Sequence, residues 1–126
     1  MDAKDLLKRV KEDHIKFISY QFTDINGAVK SLDGPADRLA ECLDNGIWFD
    51  GSSIEGFTRI QESDMHLSVD ADTYAVLPWS PEENKRARVL CVVYKPNGEP
   101  FKGDPRGILK AQLIKLKAKR GWATNI

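Results

Sequence analysis

The stretch Lys16-Phe17-Ile18-Ser19-Tyr20-Gln21-Phe22-Thr23-Asp24-Ile25-Asn26-Gly27-Ala28-Val29-Lys30-Ser31-Leu32 sets the fold class. Phe17, Ile18, Tyr20 and Phe22 make an aromatic and β-branched run over residues 16–23 that reads as a strand. Asp24-Ile25-Asn26-Gly27 follows as a turn with Asn-Gly at its tip, and residues 28–32 return as a second strand. Upstream, Asp2 is placed to cap a short charged helix whose Leu6, Leu7 and Val10 form an apolar stripe needing a partner surface. Downstream, Gly34-Pro35 predicts a second helix with Pro35 at its first position, because the N–H that proline lacks is unpaired there anyway. Leu39, Cys42 and Leu43 share one face of it, and Asn45-Gly46 supplies a left-handed stop.

Three further extended runs are expected, at residues 65–69, 74–79 and 88–94. The last, with Val89-Leu90-Cys91-Val92-Val93-Tyr94, reads as a strand buried on both sides. Pro78 and Pro81 close the middle run. Asn97-Gly98 marks another tight turn, with Phe101 anchoring the return. Asp104 as N-cap and Pro105 at the first position open a last helix, which carries Ile108, Leu109, Ala111, Leu113 and Leu116 against its lysines and stops at Gly121. A hairpin, a crossing helix and more strands define an α+β sheet with a helix on one face.

At 126 residues the chain has the length of one domain. Lysine plus arginine equal aspartate plus glutamate at 19 each, so no basic field points to nucleic acid or anionic lipid. No apolar run approaches the roughly 20 residues of a membrane span, and the charged residues 1–12 do not read as a signal peptide. The two cysteines, Cys42 and Cys91, sit in apolar company and suit a reduced, cytoplasmic protein. With only His14 and His66 and no paired cysteines, a zinc site is not expected.

Between the second helix and the third extended run lies Phe49-Asp50-Gly51-Ser52-Ser53-Ile54-Glu55-Gly56-Phe57, too polar for a core strand and too glycine-rich for a helix. Two readings stand side by side. One is a surface loop without chemistry; the other is a loop whose Asp50 and Ser53 turn toward one spot and hold a cation or an N–H donor. Glu55, Glu62 and Asp64 read more simply as a solvated acidic face than as a divalent site. Neither Ser52 nor Ser53 has a histidine nearby in sequence to serve as a base, and the glycines lack the spacing and lysine of a phosphate-binding loop.

Taken in order, Gln21-Phe22-Thr23-Asp24 with Gly27, the nonapeptide 49–57, Glu62-Ser63-Asp64-Met65, Pro78-Trp79 and Gly103-Asp104-Pro105-Arg106 resemble the amino-terminal domain of type I glutamine synthetase. The resemblance implies a β-grasp-like mixed sheet with a crossing helix over residues 1–103, and the first helix of the following catalytic domain over 104–126. It implies an ATP-dependent ligase that joins ammonia to glutamate through a γ-glutamyl phosphate. Two stacked hexameric rings are implied too, with each active site formed between subunits. By resemblance Asp50 binds ammonium and helps take its proton, Ser53 lies beside it, Phe57 lines the same intersubunit edge, and Arg59 matches an arginine that senses glutamine. Read locally, Arg59 is an exposed ion pair.

Mg²⁺ or Mn²⁺ and ATP are expected in the full-length enzyme, where carboxylates of the later barrel would hold them. Neither is expected on residues 1–126 alone, and the 126-residue chain is expected to be inactive by itself. Ammonium, glutamate and ATP would meet it only through the shared site. A free-standing β-grasp module that binds a synthetase or another partner, and a fragment of a ligase joining glutamate to a different amine, are the alternatives.

Overall fold

The computed structural model describes residues 2–24, 27–50, 64–95, 97–101 and 103–120. Helix α1 spans Ala3–Glu12, and Asp2 caps it by accepting the Asp5 N–H at 2.9 Å. Strands β1 (Phe17–Thr23) and β2 (Val29–Pro35) pair antiparallel, from Phe17 opposite Pro35 to Thr23 opposite Val29. The hairpin is therefore as expected, with Gly27 at φ 84° closing it through its N–H to the Asp24 carbonyl at 3.0 Å. The Asn26 position of the turn lies outside the described residues.

The second strand runs further than expected. Gly34 and Pro35 pair with Ile18 and Phe17 rather than opening a helix. A 3₁₀ turn over Ala36–Arg38 then leads into helix α2, Leu39–Asn45. Proline has no N–H to give a ladder, but on the last residue of an edge strand none is needed, so pairing with β1 prevails over the helix-start signal. Leu39 is fully buried on α2, with Cys42 and Leu43 packed beside it.

Strand β3 (Ile47–Asp50) follows, then β4 (Asp64–Val76) and β5 (Arg86–Tyr94). The five strands make one mixed sheet in the order β2-β1-β5-β4-β3, with β1 and β5 parallel and the other neighbours antiparallel. The runs expected separately at 65–69 and 74–79 are largely one strand with an irregularity between Asp70 and Ala75. Thr73 holds the irregularity together. Its hydroxyl donates to the Asp70 carbonyl at 2.6 Å and accepts the Leu90 N–H at 2.7 Å, standing in for a missing ladder partner. Trp79 falls in the turn beyond β4 and is exposed.

Helices α1 and α2 cover one face of the sheet. There Leu6, Val10 and Leu39 meet Ile18, Tyr20 and Phe22 of β1, Met65 and Leu67 of β4, and Ala87, Val89, Cys91 and Val93 of β5. Strand β5 is buried strictly on alternate residues, not on both sides as its apolar run suggested. Arg86 and Arg88 on the second face need solvent, and among the described residues that face carries only the start of helix α3, Pro105–Arg120. Gly107 of α3 comes close to Val92, while Arg106 and Lys110 bridge to Asp70 at 3.2 and 3.0 Å. Burial of Asp70 opposes its ionisation, but Lys110 and then Arg106 outweigh it and hold its pKa below the ordinary value. Along the rest of α3, Ile108, Leu109 and Ile114 stay exposed among the described residues, so the expected apolar face is only half used, through Leu113 and Leu116.

Asp104 shows how α3 is tied down. It is fully buried, its backbone carbonyl accepts the Ile108 N–H at 3.1 Å, and its Oδ2 accepts the N–H of Val93 in β5 at 2.9 Å. One carboxylate thus caps a helix and completes a strand. Burial raises its pKa, against the pull of the Val93, Gly107 and Arg106 backbone N–H groups. Replacing Asp104 with alanine removes the cap and leaves a buried N–H unpaired, an expected loss of about 2–3 kcal/mol in a denaturant titration. Asp104→Asn keeps an acceptor oxygen and should lose about 1 kcal/mol or less; equal losses for the two variants would contradict the double role.

Candidate functional site

The chain is delivered to residue 50 by a turn that only glycine suits. Gly46 ends α2 at φ 73°, its N–H closing on the Cys42 carbonyl at 2.9 Å. The positive φ strains any side chain there, and a Cβ would stand a tight 3.2 Å from His66 Cδ2. Strand β3 then runs antiparallel along β4, with Ile47 opposite Leu67, Trp48 opposite His66, Phe49 opposite Met65 and Asp50 opposite Asp64. Leu67 is fully buried and opposite Val93 in turn, so the strand that ends at Asp50 is fastened to the centre of the core.

An aromatic ladder braces the same segment. The Trp48 and His66 rings lie 5.0 Å apart and tilted by 42°, and His66 stacks on Tyr94 at 5.5 Å and 16°. Burial lowers the pKa of His66, so the imidazole in this stack is neutral at pH 7. Among the described residues its Nδ1 is buried without a partner, while Trp48 is 55% exposed at the sheet edge. Sequence reading weighed His66 only as a metal ligand and missed the ladder. The signal was available: Trp48 precedes Asp50 by the same two residues by which His66 follows Asp64, as an antiparallel pairing across the intervening segment requires.

Of the residues singled out from sequence, Asp50 is placed as backbone, as the final residue of β3 opposite Asp64. Ser53, Arg59, Glu55, Phe57 and Glu62 lie outside the described residues. Two acidic residues therefore stand at opposed positions where β3 and β4 part. Among the described residues, no three His, Cys, Asp or Glu side chains come together to hold a metal ion.

A five-stranded mixed sheet with parallel central strands β1 and β5, an antiparallel hairpin on one side and a helix crossing between its halves is an α+β domain of the β-grasp class. The family described as the glutamine synthetase beta-grasp domain matches residues 14–96. The chain belongs to the glutamine synthetase family. It is 52% identical over 123 residues to the glutamine synthetase of Methanosarcina mazei, covering 98% of this chain and 27% of that protein. It is 50% identical over 117 residues to that of Thermotoga maritima, covering 93% of this chain and 27% of the relative. The chain thus spans about a quarter of the length of these curated relatives. Among solved structures, a GmaS/ADP complex superposes with a TM-score of 0.80 at 28% identity, over 91% of this chain and 26% of the other. The cryo-EM structure of Plasmodium falciparum glutamine synthetase superposes with a TM-score of 0.83 over 94% of this chain and 23% of the other; at 20% identity it speaks for the fold alone.

Proposed function

We propose that residues 1–103 serve as the amino-terminal domain of a cytoplasmic glutamine synthetase, residues 104–126 begin its catalytic domain, and the Asp50 loop completes a neighbouring subunit's site. The observation that carries this reading is the register at the end of β3, where Asp50 is opposite Asp64. A carboxylate about 4 Å from a monocation attracts it by roughly 4 kcal/mol at an effective dielectric near 20, before desolvation.

Ammonia near neutral pH arrives mostly as ammonium. An acidic residue at the mouth of a partly dry pocket selects that cation and then takes its proton, releasing the nucleophile that attacks the activated glutamate. Ser53, on the same loop, is assigned as a second polar contact to the cation, and Arg59 as a glutamine-responsive residue. In the full-length double hexamer, glutamate, ATP and a divalent metal ion would be held by the later barrel, and ATP would supply the phosphoryl group that activates glutamate. Among the described residues, no helix is long and apolar enough to cross a membrane.

The test is direct. Purified residues 1–126, given magnesium, ATP, glutamate and ammonium, are expected to release no phosphate and form no glutamine. Robust turnover by the chain alone would overturn the shared-site reading.

A further inference from the structure

Tyr20 and Cys42 meet in a part of the fold that the proposed site does not use. A cleft of about 440 Å³ opens between β2, α2 and the start of β3, walled by Leu32, Ile47 and Trp48, with Arg38 at its rim and Tyr20 and Cys42 inside. Tyr20 is 97% buried (3% exposed), and its hydroxyl has no hydrogen-bond partner among the described residues. A buried orphan O–H is costly unless something supplies an acceptor. The Cys42 thiol lies near enough to act on the phenol, yet no hydrogen bond of ordinary geometry joins the two. Burial first, and Cys42 second, hold the Tyr20 pKa well above its ordinary value, so the phenol keeps its proton and can donate it. A neutral thiol is a weak acceptor; a thiolate is a strong one.

We propose that Cys42 is a site of reversible modification by a small zwitterionic thiol, with Tyr20 donating to the reacting thiolate and the cleft holding the added group. Cys42 loses its proton to solvent, and its thiolate attacks one sulfur of a low-molecular-weight disulfide. The Cys42 Sγ–S bond forms as the S–S bond of the disulfide breaks, and the other half leaves as a thiolate that takes up a proton. The disulfide is the oxidant and is reduced to one released thiol. Apolar walls suit the carbon chain of the adduct. Arg38 and Glu41, a 3.5 Å pair that is largely exposed at the rim, offer one charge to each end of a zwitterion. Ile47 and Trp48 belong to the strand that ends at Asp50, so the cleft shares a wall with the segment leading to the proposed ammonium loop.

Cys91 is the internal control. It is fully buried in the sheet, and burial pushes its thiol up to about 12. The folded protein would be incubated with oxidised glutathione and followed by intact mass and peptide mapping. One adduct is expected, on Cys42, forming at least about tenfold faster than any on Cys91, because exchange needs an accessible thiolate. A reducing agent should remove it, and Cys42→Ser should abolish it. Tyr20→Phe keeps the ring and should slow the reaction about threefold, a modest factor because a better-stabilised thiolate is also a poorer nucleophile. Reaction at Cys91 as fast as at Cys42, an adduct that persists in Cys42→Ser, or no adduct until the protein is denatured would overturn the proposal. An unchanged rate in Tyr20→Phe would remove the tyrosine from it.

Discussion

Replacing Asp50 with alanine in the full-length enzyme is expected to lower the rate of glutamine formation by about 10²–10⁴-fold, the range lost when a positioned acid–base group is removed. The ammonium requirement should rise with it, since the same carboxylate is proposed to draw the cation in. Phosphorylation of glutamate should survive better, because in the proposed reading that step precedes ammonia and draws on groups of the later barrel. Steady-state kinetics with ammonium as the varied substrate, alongside an assay of phosphate release in its absence, separates the two steps. An unchanged dependence on ammonium would remove Asp50 from the site. Asp50→Asn retains hydrogen bonding without the charge, so a loss nearly as large as that of alanine would show that the charge is what matters.

Leu67→Ala is expected to have the largest effect on stability. Leu67 is fully buried, stands between Ile47 of β3 and Val93 of β5, and so joins the sheet edge carrying Asp50 to the core. Truncating a buried leucine leaves a cavity its neighbours fill only in part, at about 2–5 kcal/mol. A domain of this size has about 5–15 kcal/mol in all, so thermal denaturation should fall by roughly 10 °C or more. Leu67→Met conserves volume and should cost less than about 1.5 kcal/mol. A melting temperature unmoved by Leu67→Ala would mean that β3 and β4 do not share the core as described.

Local chemistry announced much of this fold. Asp2, Gly46 and Asp104 end or begin helices where their backbone and hydrogen-bonding preferences place them, and the Asn97-Gly98 turn forms with Gly98 at φ 88°. What local reading could not see was decided by partners distant in sequence. Gly34 and Pro35 look like a helix entrance until β1 offers them Ile18 and Phe17. Asp70 to Thr73 look like a break between strands until the Thr73 hydroxyl, taking the Leu90 N–H, carries the ladder across. Alternation in β5 is invisible in a run of apolar residues, because whether the second face is covered depends on where α3 lands.

The candidate site was less legible. No spacing of residues around Asp50 demanded a role for it; the resemblance supplied that role, and the sheet supplies the residue's position at the end of β3. The Trp48–His66–Tyr94 ladder needed the register of three strands, and only β3, β4 and β5 together provide it.

Mixing subunits tests most directly whether the Asp50 loop completes a pocket belonging to another polypeptide. Full-length Asp50→Ala subunits would be co-expressed with subunits inactivated in the catalytic barrel, and the mixed oligomers assayed for glutamine formation. Each population alone is expected to be nearly inactive, while mixed oligomers recover a substantial fraction of activity wherever an intact loop meets an intact barrel. Mixed oligomers no more active than their inactive parents would place loop and barrel of one site on the same chain and contradict the account.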